Sequence, residues 1–519
     1  MLLSKFHFEG VNYAGGNVGN FVVIEGEEYG FLARITKLNL PDSERKEISE
    51  KAIEHSESNF HPSGEAELLL SFSVFEPDKI QKTVSKFPCI GAKVFSCSDE
   101  QIGKYVQEFG KKEADIDNVY ATLGKLTAND ADCKISLNSL FGRHCAVVGT
   151  TGGGKSWTIA KLIETIIKET DNKIILIDAT GEYKSQTYTS VSFGENVSFP
   201  HKYLNNSDFC FLFQEHSPNT VSALCEAIHT LKLIKLGKLA DGVKIGKNSI
   251  DINKQVRENV HLFKDCDFDI MQLSNQLANE CVKVGRNNIY EEDNFKLGYT
   301  SHLISRANLF FNNDAMCSAL GINNADTNDI IEAITDFIKI ENTNRILRIS
   351  FEKLSYDFSI REIIVDFISS FLLKQSRNGV FKENPLVMFI DEAHQFLNKR
   401  INAEDNTTFS LQSIDLIAKE CRKYGLFLCL ATQMPRDIPI GTLSQMGTFI
   451  VHRLINDKDK QSIENAASSA NKSALSFLPI LGEGEALLVG VDFPMPLLLK
   501  IGEPSKKPIS DTPRLKNKS

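Results

Sequence analysis

The chain has 519 residues, of which 42% are hydrophobic and 24% charged, and a formal net charge of −9. That length asks for two or three domains, and the composition is that of an ordinary globular protein. The acidity argues against a grip on nucleic acid over the whole surface and leaves open only a local basic channel formed on assembly.

The N-terminal run MLLSKFHFEGVNYAGG has no apolar core of signal-peptide length. No run of 18 apolar residues occurs, so no membrane contact is expected. The nearest candidate, Ile363 to Leu373, is interrupted by Asp366 and two serines and reads as a buried amphipathic helix. Eleven cysteines with no CxxC pair exclude a disulfide framework or zinc site. Cys145, Cys210 and Cys429 lie in apolar runs, as buried free thiols of a cytoplasmic protein would.

Residues 1–105 are β-prone: FVVIEG (Phe21 to Gly26), FLARITKL (Phe31 to Leu38), AELLLSFSVF (Ala66 to Phe75) and GAKVFSC (Gly91 to Cys97) are punctuated by Gly, Pro, Asn and Asp. This spacing predicts a small barrel or sandwich. Residues 106–138 read as a linker. From 139 the pattern becomes strand, helix, strand, which predicts an α/β fold with a parallel sheet. CAVVG, KIILID, LVMFID, LFLCLAT and ALLVGV are its apolar strands. Residues 139–214 and 346–502 form this core, 215–345 carry helical periodicity and read as an insertion, and 503–519 read as a disordered tail.

Gly149-Thr150-Thr151-Gly152-Gly153-Gly154-Lys155-Ser156 satisfies GxxxxGK[ST] in full, after an apolar strand and before the amphipathic run TIAKLIETIIKE. The glycines let backbone N–H groups wrap an anion, and the helix N-terminus adds its dipole. Lys155 is expected on the β- and γ-phosphates of ATP, and Ser156 on Mg²⁺.

Leu386 to Asp391 is an apolar strand ending in two acids. Asp391 is expected to hold the Mg²⁺ water shell and Glu392 to deprotonate the attacking water. Between Lys155 and Asp391 lie 391 − 155 = 236 positions, so the helical insertion falls between the two motifs.

LFLCLATQ ends in Gln433, a residue type that can sense phosphate and orient water; a strand-end amide bonded to a loop is the plain alternative. Arg422 and Lys423 precede Gly425 at a helix end. They either favour the helix dipole or supply an arginine finger to a neighbour.

With these residues in place, the chain resembles the HerA-like ATPases of the HerA/FtsK superfamily over about residues 5–502. The resemblance is carried by Arg143-His144, by VGTTGGGKSWT with Trp157, and by IDATGEY with Asp178, Gly181, Glu182 and Tyr183. IDEAHQFL, RKYG, ATQMPRDIPIGTLSQMGTFIVHRL, GEGEALLVGVDFPMPLLLKI and FPCIGAKV complete it.

The resemblance implies a RecA-like P-loop core with an N-terminal HAS-type barrel, a homohexameric ring and double-stranded DNA in a central channel. It implies that Arg422 is a trans finger, Gln433 a sensor, Arg143 a nucleotide contact, and Asp178 and Glu182 coupling residues. A carboxylate capping the next turn is the alternative for the last two. It further implies a separate effector subunit of nuclease or NADase type, in antiphage defence or DNA end processing. A ring that only scaffolds and switches an effector is the competing reading.

Lys399 and Arg400, and the segment 229–260 with seven Lys/Arg against three acids, are the candidate DNA contacts, with a solvated basic face as the commoner alternative. The start ATQMPRDI, where ATQRP is commoner, and the segment 229–262 depart from the family pattern.

Overall fold

The computed structural model describes residues 5–8, 11–14, 17–39, 63–77, 80–81, 86–108, 118–127, 132–184, 188–322, 327–397, 400–402, 408–467, 472–493 and 495–509. The chain forms two compact units.

The first unit comprises Met1–Asp171, Ala431–Arg436 and Ile440–Lys507. Its N-terminal part is a five-stranded antiparallel sheet in the order Ile80–Gln81, Ser63–Ser73, Tyr29–Asn39, Phe21–Ile24, Val94–Ser96. Each of the four β-prone runs overlaps one of these strands. Val22, Ala33 and Ile35 form its buried cluster, with Ile24, Leu38 and Leu68 packed against them. Closure of this sheet into a barrel is not among the pairings of the described residues.

The expected linker contains regular structure. Tyr120–Leu126 and Asp132–Ser136 form an antiparallel pair, and the former pairs with Leu497–Ile501. The Lys- and Asp-rich composition hid the alternation: Ala121, Leu123 and Leu126 are buried while Thr122 and Lys125 are exposed.

Cys145–Val148 runs parallel to Thr448–Val451. Thr448–Val451, Glu485–Gly490 and Leu497–Ile501 are then antiparallel in succession. In this unit the parallel pairing expected from the sequence is followed by antiparallel strands. Only six residues join Glu485–Gly490 to Leu497–Ile501, too few for the dozen or more that a parallel crossover needs.

The tail expectation also changes. Residues 503–507 are tied to the helix Lys155–Glu169: Ser505 N–H donates to Glu164 Oε2 (2.5 Å), and the Lys507 ammonium lies 5.5 Å from the Trp157 ring centroid. Glu164 and the Trp157 ring on that helix give the segment its partners. Residues 510–519 lie outside the described residues.

The second unit comprises Asn172–Leu430, Asp437–Pro439 and Pro508–Ser519. It carries a parallel sheet in the order Thr189–Ser192, Ile346–Ser350, Lys173–Asp178, Leu386–Ile390, Leu426–Thr432. The last two residues of Leu426–Thr432 group with the first unit. All five residues of Leu386–Ile390 are buried, each contributing roughly 1.5–3 kcal/mol. Ile360–Arg377 is a helix that buries Ile363, Ile364, Ile368 and Leu372, as its pattern predicts.

The insertion is helical: Pro218–Lys235, Ser249–Asn259, Leu273–Asn279, Asn294–Phe311, Asp314–Ala319 and Ile330–Ile338. A buried polar knot pins its long loop. Glu280, fully buried, pairs with Lys244 and accepts from Thr230 Oγ1 (2.7 Å) and Gln276 Nε2 (2.8 Å). Glu280→Ala strands a buried ammonium, so it is expected to cost about 3–5 kcal/mol. Thermal unfolding checks this, with nucleotide binding below the transition kept.

All eleven cysteines are free, with Cys145, Cys210 and Cys429 buried. No helix among the described residues is long and apolar enough to cross a membrane.

Candidate nucleotide site

In the first unit, the strand Cys145–Val148 is buried throughout and delivers the chain into the loop at its C-terminal end. The loop is pinned by its neighbours. Gly149 N–H donates to Thr432 O (3.3 Å) and Thr150 N–H to Arg453 O (3.0 Å), and Thr150 Oγ1 donates to the same carbonyl (3.2 Å). Gly154 has φ +108°, a conformation that suits glycine, and caps the helix Lys155–Glu169. A Cβ on Gly149 would stand 2.6 Å from His452 Cβ. The glycines thus serve both turn geometry and packing.

Lys155 begins the helix and is 7% exposed; its ammonium donates only a long 3.4 Å bond to Thr150 O. Thr151 Oγ1 donates to Gln433 Oε1 (2.6 Å). Trp157 donates its indole N–H to Gly502 O (3.1 Å), so its polar handle serves the C-terminal strand.

Beneath the loop sits His452, which the sequence reading missed. Burial holds its pKa down at about 4, backed by the Lys155 charge against the opposing pull of its Glu485 hydrogen bond. The ring is therefore neutral near pH 7. Nδ1–H donates to Glu485 O (2.8 Å), which leaves Nε2 to accept from Thr158 Oγ1 (2.8 Å). The folded pKa lies below the ordinary 6.5, so the unfolded chain binds the extra proton between those values. Stability from this group is whole above pH 6.5 and is lost as pH falls toward 4, by about 2 kcal/mol at pH 5. Denaturation midpoints at pH 7 and 5 check this, and His452→Gln is expected to flatten that fall.

Arg143 lies at the other end of the same strand, paired with Asp492 (Nε to Oδ2, 3.1 Å). A four-residue strand is roughly 13 Å long, so Arg143 stands at the edge opposite the loop.

In the second unit, four carboxylates gather at the C-terminal ends of Lys173–Asp178 and Leu386–Ile390. Asp391 N–H donates to Ile177 O (3.0 Å), which sets the two strand ends side by side. Asp178 is fully buried and fully engaged. It accepts from Gly181 N–H (2.7 Å), Tyr183 N–H (3.2 Å) and Arg348 Nε (2.7 Å). It therefore caps the Asp178-to-Tyr183 turn, the plainer of its two sequence readings. Arg348 also donates to Ser190 and Ser350 (2.8 and 3.2 Å). A buried arginine inside Ile346–Ser350 is why that strand was not legible as an apolar run.

Burial, then the charges of Glu392, Glu182 and Asp178, raise the Asp391 pKa well above the carboxylate range. Glu182 Oε2 is buried with no hydrogen-bond partner. Glu392 follows in the left-handed region (φ 47°), with Oε2 3.3 Å from His394 Nδ1. The spacing of His394, two residues on, was the overlooked signal. This excess of negative charge beside an orphaned carboxylate oxygen fits a divalent cation. Mg²⁺ is an ion commonly held by one or two carboxylates plus waters and phosphates.

Arg422 lies in the short 3₁₀ turn Cys421–Tyr424 that ends the helix Ser413–Glu420; it is exposed. Asp366 fixes the start of that helix through Ser413 N–H (2.8 Å) and Oγ (2.9 Å). Arg422 precedes Leu426–Thr432, at the sheet edge opposite the carboxylates.

Lys399 lies outside the described residues. Arg400 begins the strand Arg400–Asn402, paired with Thr408–Ser410. The basic segment 229–260 has four of its seven cations engaged within the insertion. Lys232 donates to Phe263 O, Lys244 pairs with Glu280, Lys247 with Asp241 and Lys254 with Glu258.

The DNA double-strand break repair helicase HerA of Sulfolobus acidocaldarius is 24% identical over 402 residues, 76% of this chain and 71% of that protein. Probable helicase MJ1565 of Methanocaldococcus jannaschii is 23% identical over 500 residues, 93% of this chain and 86% of that one. The structure of VirB4 of Thermoanaerobacter pseudethanolicus superposes with a TM-score of 0.48 at 15% identity, covering 74% of this chain and 97% of that one. Residues 121–376 match the central domain of helicase HerA, and residues 367–495 match the HerA-like C-terminal domain. Together the two matches span 121–495, and the chain belongs to the HerA helicase family as an ATPase with a RecA-like P-loop fold.

Proposed function

We propose that the chain is an ATP-driven translocase of double-stranded DNA. It works as a homohexameric ring with a separate effector subunit of nuclease or NADase type, in antiphage defence or DNA end processing. The names of the relatives, double-strand break repair helicases, support the DNA substrate.

In this reading the backbone N–H groups of residues 149–154 and the Lys155 ammonium bind the phosphates of ATP. Ser156 and Asp391 hold Mg²⁺, which neutralises charge on the phosphates. Glu392 takes the proton of the attacking water, and Gln433 orients that water. Glu182, and Asp178 through the turn it caps, link the nucleotide to the moving parts. Arg143 contacts nucleotide across an interface, and Lys399 and Arg400 contact the DNA backbone.

The observation that carries the ring is Arg422, an exposed arginine at the sheet edge opposite its own carboxylates. From there it serves a neighbour's site and not its own. Mixing two inactive variants tests this. Lys155→Ala and Arg422→Ala are each expected to be inactive alone, and mixed rings to recover a measurable fraction of hydrolysis. Full activity of Arg422→Ala alone, or silence of the mixture, contradicts it.

A further inference from the structure

Gln433 is held on three sides. Thr432 O accepts from Gly149 N–H (3.3 Å) and Thr432 Oγ1 accepts from Met434 N–H (3.0 Å), so the backbone on both sides of Gln433 is fixed. The side chain is then fixed by Thr151, whose hydroxyl donates to Oε1 at 2.6 Å. The bond spans 282 positions and joins the phosphate loop to the sensor strand.

An amide has an acceptor end and a donor end. A hydroxyl that donates to the oxygen occupies the acceptor end and leaves the NH₂ end available. A phosphate oxyanion only accepts. The amide is thus set with its donor end free for a terminal phosphate.

We propose that Thr151 is a positioning residue of the hydrolysis step, fixing the orientation of the Gln433 amide through the bond between its hydroxyl and Oε1. This rests on Gln433 acting as the sensor. Thr151 is exposed and sits at the loop tip, where the glycines beside it supply the phosphate cradle through their backbones. Its side chain is therefore spare for this second task.

The test is a double-mutant cycle on the full chain with linear duplex DNA present. It uses Thr151→Val, Thr151→Ser, Gln433→Ala and the Thr151→Val/Gln433→Ala pair. A fluorescent ATP analogue reports binding, and so folding of each variant. Thr151→Val is expected to lower kcat about tenfold, the worth of one hydrogen bond, with nucleotide affinity changed less than about threefold. Thr151→Ser keeps the hydroxyl and is expected to retain kcat. The double variant is expected to be no slower than Gln433→Ala, because the two residues act as one unit.

If Gln433→Ala is slow but the two losses multiply, Thr151 acts independently and the inference is overturned while the sensor reading stands. If Thr151→Val loses affinity and keeps kcat, Thr151 only binds phosphate and the inference is again overturned. If Gln433→Ala keeps wild-type kcat, the sensor reading itself falls and takes the inference with it.

Discussion

Lys155→Ala is expected to weaken ATP binding by at least about a hundredfold and to abolish hydrolysis. The ammonium is buried at the start of a helix and rests on a single long bond to Thr150 O. It is therefore stored beside the loop and gives up little to move onto phosphate. Charge-assisted hydrogen bonds contribute about 1.5–3 kcal/mol each, and two such bonds give roughly 3–4 kcal/mol after desolvation, a factor of a hundred or more in affinity. Alanine is a strong helix former, so the helix Lys155–Glu169 should survive. Calorimetric titration with ATP reads the effect, and an unchanged unfolding temperature separates it from misfolding. Unaltered affinity would remove the loop from the account.

Glu392→Gln is expected to act at a different step. It should bind ATP near normally and hydrolyse it slower by a factor of about 10²–10⁴, the usual share of a general base. The residue follows a strand whose every side chain is buried, and its backbone adopts a left-handed conformation. That conformation is costly for a side-chain-bearing residue, by about 1–3 kcal/mol, and such strain gathers at functional positions. Glutamine keeps the size and loses the base. The partner contact with His394 is expected to matter for placement, since His394 Nδ1 stands 3.3 Å from Glu392 Oε2.

The phosphate loop and the acidic strand end were legible because they are local. A phosphate loop is eight consecutive residues between a strand and a helix, and Leu386 to Glu392 is one run. Their types follow from composition and order alone. What was not legible depends on residues far apart in sequence. Arg348 was hidden because a charged residue inside a strand reads as a break until its partner Asp178, 170 positions away, is known. His452 carried no local signal, since its place rests on contacts with Thr158 and Glu485. Tyr120–Leu126 read as linker because it lies in a stretch rich in Lys, Asp and Ala.

Asp178 is instructive in the other direction. Its place in a family-like signature suggested coupling, yet all its described bonds go to a turn and one arginine. The basic count of the segment 229–260 likewise suggested DNA contact, while four of its seven cations have partners inside the insertion. Charge counted along a sequence overstates charge available to a ligand.

The central claim is that hydrolysis is coupled to DNA. The most direct measurement is the ATPase rate of the purified chain with and without linear double-stranded DNA, with Glu392→Gln alongside. The account predicts strong stimulation by DNA that vanishes in the variant. Slow hydrolysis indifferent to DNA, also with a partner bound, would contradict it and leave a nucleotide-switched scaffold.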